Sequence, residues 1–183
     1  MEIMDAAARV FASKGFHGAT TQDIADVLGI KQASLYYYFA SKEEALETVC
    51  LIGVEGFFER AKQIVDSAGT AEVKIIELFK SHTFPLLDRA DYVRVFLDQR
   101  RFLPSTSRRK IGRWSRGIER FFERVISDGV RDGLFRKSID PRLATLAILG
   151  ALNLVPHWFD KEARDVGAIV GGLADLILGG LRK

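Results

Sequence analysis

Apolar positions along the chain recur three and four residues apart, and no stretch alternates apolar with polar residues as a half-buried strand would. The pattern predicts helices joined by short connections. The first covers about residues 2–14, with Ile3, Ala7, Val10 and Phe11 on one face, and stops at Gly15. The second covers about 21–28. Thr20 or Thr21 can cap it, Asp23 lies in its first turn, and Gly29 ends it. A short helix of about 32–39 follows. Ser41-Lys42-Glu43-Glu44 has the form of a capping box and opens a long helix to about residue 67. Its inner stripe reads Leu46, Val49, Gly53, Phe57, Ala61 and Ile64.

The second half keeps the period. A helix of about 71–89 is disturbed at Pro85, and another spans about 91–102. Residues 103–107 form a loop. A long helix of about 108–132 follows, with Ile111, Trp114, Ile118, Phe121, Val125 and Ile126 on one face and Gly133 as its C-cap. Asp140-Pro141 is an N-cap followed by proline at the first helical position. That helix should reach about residue 158 with a bend at Pro156, and a last one should cover about 163–181. The expected class is all-α.

Composition removes several function classes. Hydrophobic residues make up 48% of the 183, enough for a core. No apolar run reaches the ~18 residues a membrane span needs, and the first residues lack the pattern of a signal peptide. The one cysteine, Cys50, permits no disulfide framework, and His17, His82 and His157 match no metal-ligand spacing. A cytoplasmic protein without metal or cofactor is expected. Neither a nucleophile elbow nor a phosphate loop nor a recognisable catalytic carboxylate pair is present, so no catalytic residue is assigned.

Charge is unevenly spread. Residues 1–50 carry four Lys/Arg against seven Asp/Glu, a balance of −3. Residues 94–124 carry ten Lys/Arg against three Asp/Glu, a balance of +7. Charge alone would place nucleic acid on the second block, whereas the motif evidence points to the first.

That motif is residues 20–39, TTQDIADVLGIKQASLYYYF: helix, glycine-centred turn, helix, at the spacing of a helix-turn-helix. Ile24, Ala25, Leu28, Leu35 and Phe39 would close a small core, leaving the second helix free to enter a major groove. Tyr36, Tyr37 and Tyr38 are consecutive on a short helix and so cannot all face inward.

Asp23-Ile24-Ala25, Leu28-Gly29-Ile30, Ser34 to Phe39 and Ser41 to Leu46, preceded by Ala6-Ala7, Phe11 and Gly15, together resemble the signature of the tetracycline-repressor (TetR) family of transcription regulators. The resemblance implies an N-terminal three-helix DNA-binding domain, residues 1–47, and a C-terminal helical bundle for ligand sensing and dimerisation, residues 48–183. It implies that Thr21 holds a phosphate, that Gln32, Ala33 and Tyr36 read bases, that Lys31, Ser34, Tyr37 and Tyr38 touch the backbone, and that Lys42 binds phosphate. Lys31 stands where a serine cap is frequent and Tyr38 where histidine is frequent. A basic arm ahead of the first helix, common in the family, is expected to be missing.

The bundle residues resemble, over shorter motifs, the acyl-CoA-responsive fatty-acid-degradation regulators of the family: Gly150-Ala151-Leu152-Asn153, then His157-Trp158-Phe159, and the run from Ile126 to Pro141. An acyl chain would lie among Phe79, Phe96, Trp114, Phe121 and Trp158, with Arg100, Arg101, Arg109, Arg113 and Arg116 near the nucleotide. Asn153 would orient the thioester or pantetheine amides, or simply bond another helix. The alternatives are a solvated face for the basic block, a different hydrophobic ligand, or a DNA-binding regulator with no small-molecule inducer. The partners expected are a palindromic double-stranded operator, an inducer and a second copy of the chain. The dimer would pair through Leu143, Leu146, Leu149, Leu152, Val166, Ile169, Val170, Leu173, Leu176 and Ile177.

Overall fold

Caps legible in the sequence do begin and end helices. A computed structural model describes residues 2–162 and 165–182, and the only β-type pairing among them is an isolated bridge between Phe135 and Arg182. The helices are α1 (Glu2–Gly18), α2 (Thr21–Leu28), α3 (Gln32–Leu35), α4 (Lys42–Gly53), α5 (Phe57–Asp66), α6 (Ala71–Thr83), α7 (Ala90–Gln99), α8 (Ser105–Arg131), α9 (Pro141–Leu154) and α10 (Val166–Leu181). Single 3₁₀ turns follow α6 at Pro85, α7 at Arg100 and α9 at Pro156. Residue 163, where the last helix was expected to start, lies outside the described residues. Asp165 caps α10, accepting the Ala168 N–H at 2.7 Å.

The structure corrects three local expectations. First, the helix expected over 41–67 is two helices. Gly56 takes a left-handed φ of 71° between them. Just before it, α7 crosses α4 so closely that a Cβ on Gly53 would lie 2.8 Å from the Tyr92 carbonyl oxygen. Second, α1 continues to Gly18 through a kink at Gly15. Third, the helix expected over 32–39 is regular only to Leu35. A turn completes it, with the Tyr38 and Phe39 N–H groups both donating to the Leu35 carbonyl.

Residues up to Glu55 together with Asp88–Gly112 form one compact unit, and Gly56–Leu87 with Arg113–Lys183 form the other. A division at 47/48 would fall inside α4, which is unbroken there. In the first unit Phe11, Ile24, Leu35, Leu46 and Val49 are buried. There α7 packs on α1 and α4: the Tyr92 hydroxyl donates to Asp5 at 2.7 Å, and the Gln99 side-chain oxygen accepts the Phe16 N–H at 3.0 Å. In the second unit Phe79, Phe122, Ile126, Phe135, Leu152 and Leu178 are fully buried among α5, α6, α8, α9 and α10. On α9 and α10, Leu143, Leu146, Leu154 and Leu176 remain exposed. Added Cβ atoms at Gly150, Gly171, Gly172, Gly179 and Gly180 would meet nothing within 4 Å.

Candidate nucleic-acid interface and sensor residues

Local bonds fix the reading head. The Thr20 hydroxyl accepts the Asp23 N–H at 3.1 Å and the Asp23 carboxylate accepts the Thr20 N–H at 2.8 Å, a reciprocal N-terminal closure of α2. The Lys14 ammonium lies 2.7 Å from the same carboxylate. That ammonium, with the Thr20 hydroxyl and N–H, holds the Asp23 carboxyl down at about 2. At the other end of α2, Gly29 turns the chain at φ 66°, a left-handed conformation that a Cβ resists. α3 then starts at Lys31 with no side-chain cap, as the absence of serine there suggested. Next, Ser41 accepts the Glu44 N–H at 3.1 Å, while the Glu44 carboxylate reaches Ala40 N–H at 2.6 Å, one residue earlier than a capping box requires.

These bonds present an outward surface. Leu35 and Phe39 are buried, while Tyr36, Tyr37 and Tyr38 are 54%, 91% and 63% exposed. Lys31 and Ala33 are exposed beside them, and Ser34 is half-buried. The Gln32 amide donates to the Thr21 hydroxyl at 2.6 Å, so two residues expected to touch DNA hold each other. Accepting that bond leaves the Thr21 proton free to donate outward. Lys42 is half-buried. Its ammonium donates to the Phe16 and Ala19 carbonyls at 2.8 and 2.9 Å and sits 4.5 Å above the Phe16 ring. It clamps the end of α1 against the start of α4. Below this surface Cys50 is fully buried, and burial pushes its thiol up to about 12.

The expected ligand residues fall into both units. Phe96, Arg100, Arg101 and Arg109 belong to the first, where Arg100 stacks over Phe96 at 4.9 Å and Arg101 over Phe102 at 4.8 Å. Phe79, Arg113, Trp114, Phe121, Asn153 and Trp158 belong to the second. Phe79 is sealed in the core, stacked on Phe122 at 6.3 Å. Trp114 meets Phe57 at 6.0 Å and Phe121 meets Phe58 at 5.0 Å, both half-buried, as is Trp158. Arg109, Arg113, Arg116 and Arg120 are exposed along α8.

Asn153 makes an interhelical bond, its Oδ1 3.0 Å from His82 Nε2. Burial between Phe57 and Phe122 pushes the His82 imidazole down to about 4, so the ring is neutral near pH 7 and Nε2 carries the proton. Its Nδ1 is then a buried acceptor with no partner. Sequence spacing gave no hint of this pair, because its members lie 71 residues apart. Among the described residues no cluster of three His, Cys, Asp or Glu is placed to hold a metal, and no helix is long and apolar enough to cross a membrane.

Residues 3–49 match the bacterial regulatory proteins of the tetR family, and residues 68–181 match the tetracyclin repressor-like C-terminal domain. The chain belongs to the TetR family. It is a DNA-binding transcriptional regulator and not an enzyme. It is 26% identical to the fatty acid metabolism regulator protein of Bacillus subtilis over 187 residues, covering 100% of this chain and 95% of that one. To the HTH-type transcriptional repressor KstR2 of Mycobacterium tuberculosis it is 28% identical over 184 residues, covering 100% and 92%. The solved KstR2 structure superposes with a TM-score of 0.92 over 100% of this chain and 94% of that one, at 26% identity. A structure of the regulator FadR from Bacillus subtilis in complex with stearoyl-CoA aligns over 100% and 99%, with a TM-score of 0.75 and 25% identity.

Proposed function

We propose that this TetR-family regulator is a cytoplasmic homodimeric repressor, released from a palindromic operator by an acyl-CoA or a similar anionic amphiphile. The end-to-end likeness to a regulator solved with stearoyl-CoA carries the choice of ligand class. The half-buried rings of Trp114, Phe121 and Trp158 supply apolar contacts for a chain, next to the buried Phe57 and Phe79, and the exposed arginines of α8 supply cations for phosphates. Asn153 acts through His82, which it orients.

On the DNA side, Gln32, Ala33 and Tyr36 read bases, and Thr21, Lys31, Ser34, Tyr37 and Tyr38 contact the backbone. Lys42 adds its charge to that surface while holding α1. The exposed leucines and open glycines of α9 and α10 form the dimer face. A two-fold pair then sets its reading helices about 34–36 Å apart, or a multiple of that, on a palindrome. Residues 1–47 do the reading and 48–183 the sensing. The chain crosses between compact units at Glu55–Gly56, Leu87–Asp88 and Gly112–Arg113, and the last crossing lies inside the unbroken helix α8. That continuity makes α8, rather than the interrupted α4–α5 pair, the better carrier of a ligand signal. A coupling of ~1–3 kcal/mol per site is enough.

The decisive experiment titrates the protein–operator complex with acyl-CoAs of several chain lengths beside free CoA and free fatty acids. Release by acyl-CoA at micromolar concentration is the expected result. Release by a neutral or cationic aromatic compound alone would return the basic block to a solvated face.

A further inference from the structure

The outer sides of α5 and α6 border an open groove of about 460 Å³, within the roughly 300–1,000 Å³ of small-molecule sites. It contains none of the residues assigned above to operator or acyl-CoA. Arg60 and Ile64 line it from α5, Ser81 and Lys80 from α6, and Phe84 from the turn that follows.

Two of these side chains are short of partners. The Arg60 guanidinium lies 5.6 Å from the Phe84 ring centre, and a Cβ on Gly56 would meet its Nη1 at 2.7 Å, so it is held between that backbone and that ring. Its Nε is buried and bonds to nothing, and no carboxylate pairs with it among the described residues. Ser81 is 8% exposed and its hydroxyl also has no partner. A buried mid-helix hydroxyl ordinarily closes on the carbonyl of the preceding turn. Thr83 does so in the same helix at 3.0 Å, and Ser127 does so in α8 at 2.7 Å. Unmet buried polar groups are costly, and a native structure keeps few of them.

Charge narrows the ligand. Lys80 is paired with Glu77 at 2.7 Å, which leaves Arg60, among the described residues, as the groove cation without a carboxylate partner. One guanidinium edge matches one planar carboxylate, side-on. A phosphate dianion would leave a charge uncompensated beside Glu77. Phe84 is 56% exposed and, with Ile64, offers an apolar bed.

We infer that the α5–α6 groove is a second ligand site, for a monocarboxylate with an apolar tail. On binding, the Arg60 and Ser81 side chains turn into the groove, so that the carboxylate bonds the guanidinium and the Ser81 hydroxyl and the tail lies on Ile64 and Phe84. The site is independent of the acyl-CoA reading.

The test uses octanoate, with octanol and octylammonium as controls, and the full chain with its Arg60→Met and Ser81→Ala variants. Calorimetry and melting temperature are the readouts. Octanoate should bind and raise the melting temperature of the unaltered protein. Arg60→Met should weaken binding about tenfold or more, and Ser81→Ala about three- to tenfold. Ser81→Ala should not lower the melting temperature without ligand, because the hydroxyl it removes has no partner. Absence of octanoate binding at millimolar concentration overturns the assignment. So does equal binding by octanol, octanoate affinity in both variants unchanged from that of the unaltered protein, or a lower melting temperature in Ser81→Ala. Acyl-CoA release is scored separately on the operator complex, where neither variant should move the midpoint. A lost acyl-CoA response in Arg60→Met would overturn the independence of the two sites.

Discussion

The two compact units differ in how completely their buried polar groups are satisfied. In the first unit Thr20 and Asp23 close on each other, Gln32 on Thr21, Lys42 on two carbonyls, Tyr92 on Asp5 and Gln99 on Phe16. Among the described residues, four buried polar atoms without partners lie in the other unit: Arg60 Nε, Ser81 Oγ, His82 Nδ1 and Thr145 Oγ1. A surface that must match a repeating duplex gains from side chains already fixed before contact, since ordering them then costs nothing. The open valences of the other unit are places where the proposed ligand response can draw polar contacts. The contrast can be attacked at both ends.

The largest effect should come from Lys42→Met. Two charge-assisted bonds are lost, and about 2–4 kcal/mol of stability should go with them, read as a fall of several degrees in melting temperature. An unchanged melting temperature with only a shallower salt dependence of operator binding would make Lys42 a phosphate contact and nothing more.

Acid should act mainly on the other unit. The His82 ring takes up a proton near pH 6.5 when unfolded and only near pH 4 when folded. Between those values the unfolded state binds more protons, so stability falls as pH drops through the window, by roughly 3 kcal/mol in all. Denaturant titrations of His82→Phe should show a flatter profile across that range. An identical profile would remove His82 from the account.

Gln32→Ala should relax preference at one base position, by about 1–3 kcal/mol if the amide pairs with adenine. Thr21→Val should blur the same position, because it releases the amide that Thr21 anchors. Binding-site selection that alters different positions in the two variants would separate what the structure joins.

The smallest effects should have opposite signs. Thr20→Ala removes a satisfied cap and should cost about 1 kcal/mol. Thr145→Val removes a buried hydroxyl that bonds to nothing and should raise stability by up to about 1 kcal/mol. Equal losses from both would erase the contrast.

What the sequence disclosed follows the reach of the interactions. Gly29, Gly133 and Asp140-Pro141 act within one turn, so helix ends were legible at those places. The TetR pattern of residues 3–46 likewise combines local spacing with a few core positions. The break after Gly53 was not legible, and neither was the close approach of Tyr92, far along the chain, to Gly53 beside it. The packing of α7 on α1 and α4 was hidden for the same reason. Lys42 reads as a free charge in one dimension and is a clamp on two carbonyls in three. His82 and Asn153 carry no mark of each other, and Arg60 drew no notice beside the denser run of arginines in 94–124.

The single cysteine gives the protein a clock. With its thiol buried in the first unit and held protonated at neutral pH, Cys50 offers no thiolate to oxidants, alkylating agents or a neighbouring chain. This regulator should therefore keep its grip on DNA through oxidative episodes that disable proteins with exposed sulfur. When a thiol dye does react, the rate measures how often α4 comes away from its neighbours. Operator DNA should slow that labelling, and the ratio of the two rates reports how much binding suppresses opening of the head.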